Sequence, residues 1–120
     1  MGPKKRFHIL SFKFALEGIY AALKEEPNLK FHFLTALLVI NLAFILNVSR
    51  RDWITLIFII GFVIAVELTN TAIETIVDAF TNKQHPRAKL AKDISAGVVL
   101  VAAITSAIVG LLIFLPYLRG

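Results

Sequence analysis

Three long runs without a charged side chain constrain this chain more than any other feature. Phe31 to Val48 (18 residues) and Ile94 to Leu118 (25 residues) contain no Asp, Glu, Lys or Arg, and Trp53 to Val66 (14 residues) is a third such run. The third continues as helix-compatible sequence to about Phe80. A helix needs roughly 20 apolar residues to cross the hydrocarbon core of a bilayer. Three spans are therefore predicted, at about 28–48, 53–80 and 94–117. A soluble fold would have to bury helices that lack a polar face, and 120 residues are too few to cover them. The expectation is an all-α integral membrane protein forming one domain, 1–120.

The charges are placed as membrane topology requires. Of 13 Lys and Arg, six precede the first span (Lys4, Lys5, Arg6, Lys13, Lys24, Lys30) and four lie between the second and third (Lys83, Arg87, Lys89, Lys92). Arg50 and Arg51 occupy the other loop, and Arg119 follows the last span. By the positive-inside rule the N-terminus and the second loop are cytoplasmic and the C-terminus is outside. Basic groups that flank spans leave no soluble surface for nucleic acid, which is not expected as a partner. The absence of cysteine excludes disulfides and thiolate metal sites. No secretory signal is expected, because no short apolar core with a small-residue cleavage site follows the basic tail.

Residues 7–25 read as an amphipathic helix on the cytoplasmic membrane surface. Ile9, Phe12, Leu16, Ile19 and Leu23 share a face, with Lys13, Glu17 and Lys24 on another, although Leu10 and Phe14 blur the division. Pro27 breaks this helix and suits the start of the next. Asp52 is expected to cap the second span and Trp53 to mark the outer interface. Residues 81–92 read as a basic connection, with Asp93 as N-cap of the third span. That span carries Ala103 with Ala107 and Ser106 with Gly110, small residues at the spacing that lets helices approach closely in lipid. Pro116 is expected to end it.

One stretch breaks the apolar rule. On a helix Glu67, Asn70, Thr71, Glu74 and Asp78 fall within an arc of about 100°. Fourteen residues from Trp53, at about 1.5 Å each, set Glu67 about 21 Å into a core of about 30 Å. Ionisable groups at such depth face a partner, a water-filled cavity or a site. The apolar flanks, Leu68 and Ile73 with Phe31, could line a groove for a lipid tail. Because three spans enclose little, the stripe is expected to meet another subunit.

These residues resemble a known family. Glu67-x-x-Asn70-Thr71-Ala72-Ile73-Glu74-x-x-x-Asp78, followed by His85-Pro86-x-Ala88-Lys89-x-Ala91-Lys92-Asp93-x-x-Ala96-Gly97, is similar to the small prokaryotic diacylglycerol kinase and undecaprenol kinase family. Glu26-x-Asn28-x-x-x-His32 and the His-Pro-x-Ala-Lys form look more like the undecaprenol kinase branch. The resemblance implies a homotrimer in a bacterial plasma membrane and MgATP-dependent phosphorylation of a lipid alcohol, undecaprenol or, as the alternative, diacylglycerol. It implies Glu67 as general base with Asn70 in the same site, and Glu26 and Glu74 as Mg²⁺ ligands. Asp78, Lys83, Gln84, His85, Lys92 and Asp93 match positions around ATP. The family's N-terminal ATP-holding arginine aligns nearest to Phe7, with Arg6 adjacent.

Plainer readings accompany each assignment. Glu67 could be a structural carboxylate, Glu74 a solvated interfacial acid, and Glu26 an acid favoured by a helix dipole. Asn70 could bond between helices and Thr71 back to its own helix. Lys89 and Lys92 could serve topology alone, and Asp93 capping alone. His32 and His85 have no partners at metal-ligand spacing, so no zinc site is expected. No Gly-rich phosphate loop is present, but carboxylates and lysines at one membrane face meet what phosphoryl transfer needs. A small proton-coupled transporter would also carry one deep Glu, but has no need of the basic loop or of further acids at the membrane surface. A non-enzymatic assembly subunit would explain the small residues of the third span and leave the carboxylates unexplained.

Overall fold

A computed structural model describes residues 4–81 and 84–119, with side chains from Ser11 onward. The described residues form α1 (Lys4–Glu25), α2 (Pro27–Leu46), α3 (Arg50–Phe80) and α4 (Pro86–Leu118). The last three are long and apolar enough to cross a membrane.

Local chemistry explains each break. Glu26 is extended (φ −107°, ψ 108°) because the residue before a proline avoids helix, and Pro27 then opens α2. α2 ends in a Schellman motif. Asn47 is left-handed (φ 53°, ψ 53°), its N–H donates to the Phe44 carbonyl, and that of Val48 donates to the Ala43 carbonyl. Val48 and Ala43 are both buried, as the hydrophobic contact of that motif requires.

Two expected caps are corrected. α3 begins at Arg50 with Ser49 as its N-cap, whose hydroxyl accepts from the Asp52 N–H at 3.1 Å. Asp52 therefore sits in the first turn, where it favours the helix dipole, and its carboxylate accepts from the Tyr117 hydroxyl at 2.5 Å. α4 is capped by His85, whose Nδ1 accepts from the N–H of Arg87 (3.2 Å) and of Ala88 (3.4 Å). Asp93 lies two turns inside, paired with Lys89 at 2.7 Å. His85-Pro86 is itself a cap followed by a first-turn proline, so residues 86–92 are helix and not connection. Pro116 is inside α4, which runs on to Leu118. So near a helix end, it removes one hydrogen bond and leaves only about half a turn to disturb.

α3 and α4 (31 and 33 residues) are about 46 and 50 Å long, against a hydrocarbon core of about 30 Å, so turns of each project beyond it. The contacts fix an antiparallel register. Phe44 meets Trp53 edge-on (4.7 Å between centroids) at the end where α2 turns into α3. Asp52 meets Tyr117 there, and Asp78 meets Lys92 at the opposite end of α3 and α4.

Ala43, Val48, Leu56, Ile113 and Phe114 form a small core at the end where α2 turns into α3. Little of the spans is covered: 11% of the most apolar stretch of α2 and 17% of those of α3 and α4 are buried. Lipid or further subunits must cover the rest, including exposed Phe44, Ile45, Phe58 and Leu112. α1 likewise exposes Phe12, Phe14, Leu16 and Tyr20, apolar groups that suit a bilayer interface.

Candidate active site

The deepest polar contact joins α2 to α3. His32 Nε2 lies 2.9 Å from Glu67 Oε1. Glu67 is 3% exposed within a single protomer, and the His32 side chain is 20% exposed. Thr71 donates to the Glu67 carbonyl at 3.1 Å, and Thr75 to the Thr71 carbonyl at 2.8 Å. Thr71 is thus bonded back to its own helix, as its plainer reading has it. Asn70 accepts from the buried Ser95 hydroxyl at 2.7 Å, which ties α3 to α4 one turn farther along α3 towards Asp78.

The His32–Glu67 contact pins the levels of the remaining acids. α2 and α3 run in opposite directions, so stepping back from His32 and forward from Glu67 leads the same way. Glu26 lies about 9 Å along from His32 and Glu74 about 10 Å along from Glu67, which brings the two residues to about one level. Seven residues return Glu74 to within about 20° of the direction of Glu67. Both are half-buried, and neither pairs with a cation among the described residues. Two hard oxygen donors outside any ion pair suit Mg²⁺, which takes few protein carboxylates and completes its shell with phosphate oxygens and water. Among the described residues no three acidic or histidine side chains converge on one point.

Farther along, Lys92 Nζ pairs with Asp78 Oδ1 at 2.9 Å and also feels Glu74 and Asp93. Lys89 pairs with Asp93 on the exposed face of α4. Gln84 and His85 precede that helix, with His85 Nδ1 engaged in capping it. Lys83 lies outside the described residues, and so does the side chain of Arg6, whose backbone is in α1. The carboxylates, lysines and cap residues thus gather at one end of the bundle, while the Asp52–Tyr117 contact marks the other.

An apolar groove of about 650 Å³ runs between α2, α3 and α4 from Phe31 and His32 towards Phe114 and Leu118. Of the residues expected to flank a lipid tail, Phe31 lines this groove. Ile73 lines a second cavity of about 350 Å³ between α3 and α4, beside Asn70 and Ser95. Leu68 is half-buried and lines neither.

Two side chains enter the site only through the fold. His32 lacks metal-ligand spacing in the sequence, yet its partner is the deepest carboxylate. Ser95 looks like a small residue of the third span until Asn70 is seen beside it. Two signals for His32 were available: its place in the Glu26-x-Asn28-x-x-x-His32 motif, and its position as a lone titratable group in an otherwise apolar run.

Residues 13–114 match the family model described as prokaryotic diacylglycerol kinase. The chain is 45% identical over 108 residues to the undecaprenol kinase of Bacillus subtilis, covering 90% of this chain and 88% of that one. It is 37% identical over 109 residues to a diacylglycerol kinase of Synechocystis, covering 90% and 62%. It is 33% identical over 108 residues to a diacylglycerol kinase of Haemophilus influenzae, covering 88% and 92%.

Proposed function

The chain belongs to the prokaryotic diacylglycerol kinase family and is a membrane lipid kinase, and on that premise we propose that it transfers the γ-phosphoryl group of MgATP to undecaprenol. The observation that carries the choice of lipid is the likeness to the Bacillus undecaprenol kinase along nearly the whole of both chains. Diacylglycerol is the second reading, favoured by the names of the Synechocystis and Haemophilus relatives. The site lies in a bacterial plasma membrane, at the cytoplasmic face where the N-terminus and the basic 83–92 segment lie.

Phosphoryl transfer asks the protein for alignment, charge and a group to take the hydroxyl proton. Glu67 is the base. Its burial keeps bulk water from competing with the lipid hydroxyl. Asn70, fixed by Ser95, helps to orient the reacting group. Glu26 and Glu74 would hold Mg²⁺, which when bound offsets phosphate charge. Arg6, Lys83 and Lys92 supply positive charge to the nucleotide, while Asp78 and Asp93 hold the lysines of α4 in place. Gln84 and His85 shape the turn beside it, and Phe31, Leu68 and Ile73 meet the lipid. The functional assembly is a homotrimer. Its support is the resemblance together with the small share of each span that one protomer buries.

The test is transfer of label from γ-labelled ATP to undecaprenol by purified protein in vesicles. Labelled undecaprenyl phosphate is expected. Release of labelled inorganic phosphate with no labelled lipid would overturn the proposal.

A further inference from the structure

We propose that the proton of the lipid hydroxyl reaches Glu67 through His32, which makes His32 a catalytic residue. The inference rests on the reading of Glu67 as the base and deepens it. Glu67 is 3% exposed and lines neither cavity, whereas His32 lines the larger groove and touches Glu67 at 2.9 Å. Assembly only covers surface, so a carboxylate already closed off within one protomer becomes no more open in an oligomer. A hydroxyl lying in the groove therefore meets His32 first.

The proton balance is simple. The path requires the neutral imidazole of His32, with its proton on Nε2 donated to Glu67 and Nδ1 left for a molecule in the groove. As the lipid oxygen bonds to the γ-phosphorus and the bond to ADP breaks, the hydroxyl proton moves to Nδ1. The Nε2 proton passes to Glu67 Oε1. The lipid loses one proton and Glu67 gains one, while the imidazole stays neutral and changes tautomer. Regeneration returns the proton by the same route once the phosphorylated lipid has left.

His32→Gln and His32→Leu separate this role from a structural one. Glutamine donates to Glu67 from nearly the same place but transfers no proton, and leucine does neither. Both are expected to lower kcat about 10²-fold, the scale of general base catalysis, with KM for MgATP unchanged. In a Glu67→Gln background, His32→Leu is expected to add little, because both residues serve one proton path. Near-normal turnover of His32→Gln would overturn the relay, and so would losses that multiply in the double variant. Both results leave Glu67 as the base. Near-normal turnover of Glu67→Gln alone would overturn the base assignment and the relay together. His32→Gln keeps the α2–α3 hydrogen bond, and unchanged thermal unfolding of that variant separates lost chemistry from lost folding.

Discussion

Tyr117→Phe tests the register between α3 and α4. The Tyr117 hydroxyl donates to the Asp52 carboxylate at 2.5 Å and accepts from the Ser49 N–H at 2.9 Å. It thus ties the start of α3 to the end of α4. Phenylalanine keeps the ring packing against the small core at that end and removes both bonds. A hydrogen bond to a charged acceptor contributes about 1.5–3 kcal/mol when buried. Ser49 is exposed, so water can replace that half of the pair, and the net loss expected is about 1–2 kcal/mol. Glu67 lies 15 residues further along α3, about 22 Å away, so turnover at a temperature where the protein stays folded should hardly change. The assay is reversible unfolding in mixed micelles, run beside the kinase assay. Unchanged stability would show that this contact does not set the α3–α4 register. A fall in turnover as large as that from a change at Glu67 would break the separation of clamp and site.

Glu67→Gln keeps the shape and the contact with His32 but loses proton affinity, so turnover should fall about 10²-fold or more with the fold intact, as judged by kcat and thermal unfolding. Glu74→Gln should raise the Mg²⁺ concentration needed for half-maximal activity, and an unchanged Mg²⁺ titration would remove Glu74 from the metal site. Ala107→Leu and Gly110→Leu line the open groove, and a side chain begun at Gly110 meets nothing within 4 Å in its own protomer. Their effect should therefore appear in the oligomer. Sizing in mild detergent is expected to show loosened assembly, and an unaltered oligomer would mean that this stripe faces lipid.

How much could be read in advance depended on whether one helix or two was needed. The three spans were legible because lipid tolerates no stray charge, and runs such as Ile94 to Leu118 have no soluble explanation in so short a chain. The stripe from Glu67 to Asp78 was legible because its periodicity lies within one helix. Helix starts were less so. Ser49 and Asp52, or His85 and Asp93, are both plausible caps, and the choice falls to whichever side chain reaches the free N–H groups. The His32–Glu67 and Asn70–Ser95 contacts were illegible because each depends on the register between helices. That register is set by the turn at Asn47 and by contacts such as Asp52 with Tyr117, none of which periodicity reports.

The most direct test of the central claim is competition between lipids. Purified protein in vesicles that contain undecaprenol and diacylglycerol at equal mole fraction, given MgATP, should phosphorylate undecaprenol faster. On the proposed topology the rise-per-residue count would set Glu67 about 9 Å below the inner hydrocarbon boundary, where a polyprenol hydroxyl can sink and glycerol esters are poorly solvated. Clear preference for diacylglycerol would contradict the choice of lipid and leave the kinase standing.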